Sequence, residues 1–119
     1  MLMELEAYAI YLYMKWKVKK HGFKSISTNM EFEGKKAEYD QVAEKITNAV
    51  LRVVNKLEKG NPCLYRSAVG FLMFKRRKYK IKIALGIRID PFESHAWLEF
   101  GGKIKLFEDH PENYLVLKR

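Results

Sequence analysis

The chain carries one nucleophilic sulfur, Cys63, and three imidazoles, His21, His95 and His110. A thiol attacks a carbonyl as thiolate, so a catalytic cysteine needs a lowered pKa. The partial positive charge of a helix N-terminus supplies part of that shift, and an imidazolium neighbour supplies more. Pro62 precedes Cys63, and proline suits a first helical turn because its missing N–H has no partner to lose there. Residues 63–74 (CLYRSAVGFLMF) are apolar almost all the way round, interrupted only by Arg66 and Ser67. A helix of that character is buried on several sides. The pattern therefore puts Cys63 at or near the start of the most buried helix. The plain alternative is a lone cysteine serving as a small core residue, and spacing alone leaves both readings open.

Of the histidines, His21 lies in a basic helix end beside Lys19, Lys20 and Lys24, and His110 lies in a polar turn before Pro111. His95 differs, since it opens a strand expected to face the buried helix. A base histidine needs a third group to fix its tautomer and orientation. Opposed residues on antiparallel strands share a face, which tests the hairpin register. With Gly101, Gly102 and Lys103 as the loop, Phe100 faces Ile104, Glu99 faces Lys105 and Leu98 faces Leu106. Continued, Trp97 faces Phe107 and His95 faces Asp109. A two-residue loop sets Leu98 against Lys105, which is worse for burial, and puts Glu108 opposite His95. Asp109 is thus the expected third residue and Glu108 the reserve. Both also fit a solvated acidic turn, EDHPE.

Positioning these groups falls to a chain of 119 residues, read as a single domain with a helical part over 1–60 and a nucleophile helix plus strands over 61–119. Leu2, Leu5, Ala9, Leu12 and Trp16 recur at three- and four-residue spacing, which puts them on one face of a first helix, with Gly22 as its stop. Residues 23–35 lack periodicity and read as a connector. A second helix is expected over 36–57, with Val42, Ile46, Ala49, Val50, Val53 and Leu57 on one stripe, until Gly60 and Pro62 break it. Residues 81–89 alternate cleanly as a strand that Pro91 ends, 94–100 and 104–109 form a hairpin, and 114–117 give a last short strand. Helices followed by an antiparallel meander define an α+β class.

The balance of 23 Lys and Arg against 14 Asp and Glu invites a nucleic-acid reading. The two basic runs, 15–20 and 75–80, instead sit at helix ends, where cations favour the negative end of the dipole. No nucleic-acid partner is expected, although the excess charge suits an acidic peptide or protein. A single cysteine excludes an intramolecular disulfide and a cysteine cluster for zinc, and fits a reducing compartment. Residues 7–14 are too short to span a bilayer and follow Glu4 and Glu6 rather than cations, so a cytoplasmic, unanchored protein is expected, with no metal and no cofactor.

Three segments together, CLYRSAVGFLMFKRR (63–77), IALGIRID (83–90) and HAWLEFGGKI (95–104), resemble the lasso-peptide biosynthesis peptidase family of bacteria. Its members are similar to transglutaminase-like and papain-like cysteine proteases. The resemblance runs over nearly the whole chain and includes the N-terminal Leu-Glu-Ala-Tyr helix. It implies a papain-like core, Cys63 as the nucleophile that forms a thioester, and His95 as general base and then acid. The backbone N–H of Cys63 would serve an oxyanion hole, with Asn55 and Asn61 as candidates for a second donor. The chain departs from the family pattern at the third position, where the aspartate slot holds Phe107.

The resemblance further implies removal of the leader from a ribosomally made lasso precursor, freeing an amine for a separate macrolactam-forming cyclase. It also implies a separate leader-binding protein, the RiPP recognition element, acting in trans, with residues 75–78 as one surface to dock it. Arg66 is expected to pair with a carboxylate or backbone carbonyl, and Trp97 to pack beside His95. The competing readings are a non-catalytic basic binding protein for an acidic partner or nucleic acid, and an inactive transglutaminase-like domain.

Overall fold

A computed structural model describes residues 2–22, 31–60, 62–89, 92–102, 104–107 and 115–118, without the side chains of 85–89, 92–95 and 115–118. Three helices, α1 (Leu2–His21), α2 (Gln41–Leu57) and α3 (Pro62–Arg76), accompany five strands. The strands are β1 (Glu31–Phe32), β2 (Ile81–Ile89), β3 (Phe92–Phe100), β4 (Ile104–Leu106) and β5 (Leu115–Lys118). This is the expected α+β arrangement. Among the described residues, no helix is long and apolar enough to cross a membrane.

Helix α1 places Glu4 in its first turn and Lys19, Lys20 and His21 in its last, matching both ends of the helix dipole. Gly22 ends it with φ +81° and donates its N–H to Val18 O at 2.7 Å. The buried face, however, is Ala7, Tyr11 and Met14. The stripe picked out by its spacing is exposed, with Leu2, Leu5, Leu12 and Trp16 at 83, 61, 48 and 51% exposure. Both faces of α1 are apolar, and tertiary packing selects the one carrying the small Ala7 and the hydroxyl of Tyr11.

Helix α2 starts five residues later than expected, because Asp40 caps it: its Oδ1 accepts from the Ala43 N–H at 2.9 Å. The same oxygen accepts from the Tyr79 hydroxyl at 2.6 Å. That donor, followed by the Ala43 N–H, holds Asp40 below the usual carboxylate range. Burial, reinforced by the Asp40 carboxylate, pushes Tyr79 up to about 12. Residues ahead of the cap are occupied elsewhere: Lys36 donates to Lys78 O and accepts from Lys80 N. The buried positions of α2 are Ala43, Ile46, Ala49, Val50 and Val54, while Val42 and Leu57 are exposed.

Helix α3 matches its reading, with Leu64, Tyr65, Met73, Phe74 and the whole run from Ser67 to Phe71 buried. Phe74 meets Phe100 of β3 at 5.2 Å and Tyr79 at 5.6 Å, ring centre to ring centre, both edge-on. Such pairs each contribute about 1 kcal/mol beyond the area they bury. A methyl group on Gly70 would lie 2.9 Å from Leu98 Cδ1 and 3.1 Å from the Phe107 ring, so the missing side chain lets α3 sit close to β3 and β4. The second basic run is less free than expected. Arg77 grips Glu6 of α1 with two nitrogens at 2.5 and 2.9 Å, Arg76 adds a third bond at 2.8 Å, and Lys75 and Lys78 lie over the Phe32 ring. Those bonds hold Glu6 below its ordinary pKa.

The sheet order is β1-β2-β3-β4, with β5 also on β2, all antiparallel. Strand β3 begins at Phe92, two residues before the expected start, so His95 lies inside the strand rather than opening it. Strand β1 falls within the expected connector. The last strand leaves the meander and returns to β2, pairing Leu115 with Ile87 and Val116 with Gly86. The β3–β4 ladder has the three-residue-loop register: Phe100 with Ile104, Glu99 with Lys105, Leu98 with Leu106. It stops there, because Phe107 adopts a left-handed φ of +64° and turns the chain out of the strand. The expected Trp97–Phe107 pair is not in the ladder, and the continuation to 109 lies outside the described residues.

Gly101 opens that loop with φ +62°, and a methyl group on it would meet the Ala37 carbonyl oxygen at 2.6 Å. At Gly102, with φ +77°, the nearest atom would be the Lys80 ammonium at 3.8 Å. Gly101→Ala is accordingly expected to cost roughly 2–4 kcal/mol, from backbone strain plus a backbone clash. Gly102→Ala should cost only about 1 kcal/mol, from strain alone. Urea denaturation of the two variants checks this, and equal losses would contradict the loop packing.

Candidate active site

Cys63 is the second residue of α3, half-buried in its first turn. Its N–H is one of the four at a helix start that the helix itself cannot satisfy. Two clamps fix this end of the helix. From α1, the Tyr11 hydroxyl and Lys15 ammonium donate to Glu58 Oε1 at 2.8 and 3.1 Å. Glu58 Oε2 accepts from the Gly60 N–H at 3.2 Å, and the Glu58 N–H closes α2 on Val54 O at 2.8 Å. The carboxylate, only 6% exposed, thus ties α1 to the short turn that leads into Pro62. Lys15 also lies 4.9 Å over the Tyr65 ring, and Tyr11 meets that ring edge-on at 5.7 Å. From α2, Asn55 Oδ1 accepts from Arg66 Nη1 at 3.2 Å. The expected carboxylate or carbonyl partner of Arg66 is, in this contact, a side-chain amide.

Facing this helix, α3 packs across β3 and β2. On β3 the His95 backbone pairs with Gly86, Ala96 with Leu85, and Trp97 with Ala84. Trp97 is 1% exposed, as a packing residue should be. Cys63 and His95 therefore stand on two elements packed against each other. The His95 side chain, and Asn61, Glu108, Asp109 and His110 altogether, lie outside the described residues. His21 is exposed at the end of α1, its ring 6.4 Å edge-on from Trp16. Among the described residues, no group of three or more His, Cys, Asp or Glu could hold a metal ion.

Sequence reasoning missed Glu58 and its partners. Glu58 stood in a segment legible only as a helix breaker, and nothing in spacing joins it to Tyr11, 47 residues away. Ser67 was noted only as an interruption, yet its Oγ is fully buried and makes no hydrogen bond among the described residues.

With helices, sheet and the Cys63 turn in place, comparison with known proteins gives the class. The model of the transglutaminase-like superfamily matches residues 8–118, and the chain belongs to that superfamily. The match spans α1 to β5 and includes both Cys63 and His95. No curated protein and no solved structure matches the chain.

The Glu58 clamp has a pH signature. Burial, with the Glu58 carboxylate behind it, pushes Tyr11 from 10.0 to about 12. In the unfolded chain the phenol ionises at the lower value, so the unfolded state sheds its proton first. Tyr11 therefore adds stability that is complete below pH 10 and is lost as pH rises to about 12. Tyr79 behaves alike over the same window. Denaturation at pH 9 and pH 11 should show Tyr11→Phe losing less stability between the two than wild type. An unchanged loss would contradict the clamp.

Proposed function

We propose that the chain is a cysteine peptidase that removes the leader from a ribosomally made lasso-peptide precursor. The observation that carries this reading is the placement of Cys63 in the first turn of a buried helix packed on the His-Ala-Trp strand, within a superfamily that includes cysteine peptidases. The sequence resemblance of segments 63–77, 83–90 and 95–104 supports the narrower substrate class.

In this reading His95 draws the proton from Cys63, and the thiolate attacks the scissile carbonyl. The tetrahedral oxyanion is held by backbone N–H groups of the α3 first turn, that of Cys63 among them. Collapse breaks the C–N bond, with His95 returning the proton to the leaving amine and a thioester remaining on Cys63. His95 then activates water, which hydrolyses the thioester and releases the leader. Asp109, with Glu108 as the reserve, fixes the His95 tautomer. The freed core amine is the group that a separate cyclase consumes to form a macrolactam. A separate leader-binding protein presents the precursor in the bacterial cytoplasm.

Cleavage of a lasso precursor, with its leader-binding protein present, tests the proposal. Cys63→Ala and His95→Ala should each lower the rate by about 10³-fold or more. Asp109→Asn should slow it by roughly 10²-fold or more, and Glu108→Gln should retain most activity. Undiminished cleavage by the Cys63 or His95 variant would overturn the assignment.

A further inference from the structure

The first helix leaves a seam that the fold does not use. Leu2, Leu5, Ala9, Leu12 and Trp16 follow the alternating three- and four-residue spacing by which one helix packs along another. All five are exposed, and Tyr8 and Tyr13, 45 and 47% exposed, widen the stripe. It runs about 21 Å along the helix. Single exposed apolar residues are ordinary, but a contiguous stripe of large ones marks an interaction surface.

Charge identifies the occupant. Both carboxylates of α1 are already paired with arginines, Glu4 with Arg52 at 3.1 Å and Glu6 with Arg76 and Arg77. The cations along the stripe are exposed or stacked on it: Lys17 lies 5.9 Å from the Tyr13 ring and Lys20 6.0 Å from the Trp16 ring. Lys19 and Lys20 close its C-terminal end. At the other end, α1 and α2 flank an open groove of about 570 Å³ lined by Leu2, Met3, Ala49, Asn48, Lys45 and the Glu4–Arg52 pair, which would accept a side chain from the partner. A second copy of this chain would bring another +9 of charge to the same lysines.

We infer that the outer face of α1 docks a protein partner through an amphipathic helix whose apolar ridge is flanked by carboxylates. The inner face of the same helix clamps the turn ahead of Cys63 through Tyr11, Lys15 and Glu58. The partner would thus bind to the element that positions the nucleophile.

The inference rests on the peptidase reading only for the probe, the separate leader-binding protein. Its affinity for wild type should weaken by about tenfold or more in Leu12→Glu and Trp16→Glu. Lys17→Glu with Lys20→Glu should weaken it further as salt rises less steeply than in wild type. Lys75→Glu with Lys78→Glu should leave it unchanged. Because the altered side chains are exposed, Lys17 alone being half-buried, far-UV circular dichroism should match wild type in every variant. Wild-type binding that the Leu12 and Trp16 variants retain would overturn the surface and leave the peptidase reading standing. No binding by wild type would overturn both the surface and that reading's partner. Stripe-dependent self-association in sedimentation, or stripe-dependent binding to phosphatidylcholine–phosphatidylglycerol vesicles, would assign the face to a second copy or a membrane and overturn the inference.

Discussion

Helix α3 is apolar on nearly every side, and a helix of that kind is stable in water only if other elements cover it. The remaining chain does so from two directions. Helices α1 and α2 take one side, where Tyr11, Met14, Ile46 and Val50 are buried, and β2 and β3 take the other, where Ile83, Leu98 and Phe100 are buried. Each fully buried large side chain contributes about 1.5–3 kcal/mol. The close approach at Gly70, and the Phe74, Tyr79 and Phe100 rings, set how tightly the layers meet. What stays partly open is the helix end, and Cys63 is there.

That end is held by polar contacts because the core cannot reach it. Glu58 satisfies the turn before Pro62 and is itself satisfied by Tyr11 and Lys15, so a buried carboxylate is tolerated. Asp40 does the same on the far side, capping α2 and receiving Tyr79. Each of these acids joins segments distant in sequence. Together they fix the helices relative to the sheet, and so fix the Cys63 turn relative to the strand that carries His95.

Much of this was legible in the sequence. The unbroken apolar run of 63–74 and the strict alternation of 81–89 are strong periodic signals, and the structure has α3 and β2 there. The β3–β4 register followed from pairing like with like as far as Leu98 and Leu106. The described ladder ends at Leu106, and a left-handed Phe107 has no sequence signature such as a glycine would give. The start of α2 was misplaced because the contacts that decide it, Asp40 with Tyr79 and Lys36 with Lys78 and Lys80, join segments distant in sequence. The buried face of α1 was not legible because both faces are apolar, and only packing decides between Ala7, Tyr11 and Met14 and the Leu12–Trp16 stripe. Cys63 was located through its helix, whereas the Glu58 clamp depends on contacts that no spacing encodes.

The proposed chemistry requires that Cys63 be an activated thiol served by His95. The pH dependence of Cys63 alkylation by iodoacetamide measures this most directly, since only the thiolate reacts. Half-maximal reactivity is expected well below the value of about 8.5 for an ordinary thiol, moving upward in His95→Ala. A wild-type profile centred near that ordinary value and unaltered by His95→Ala would contradict it.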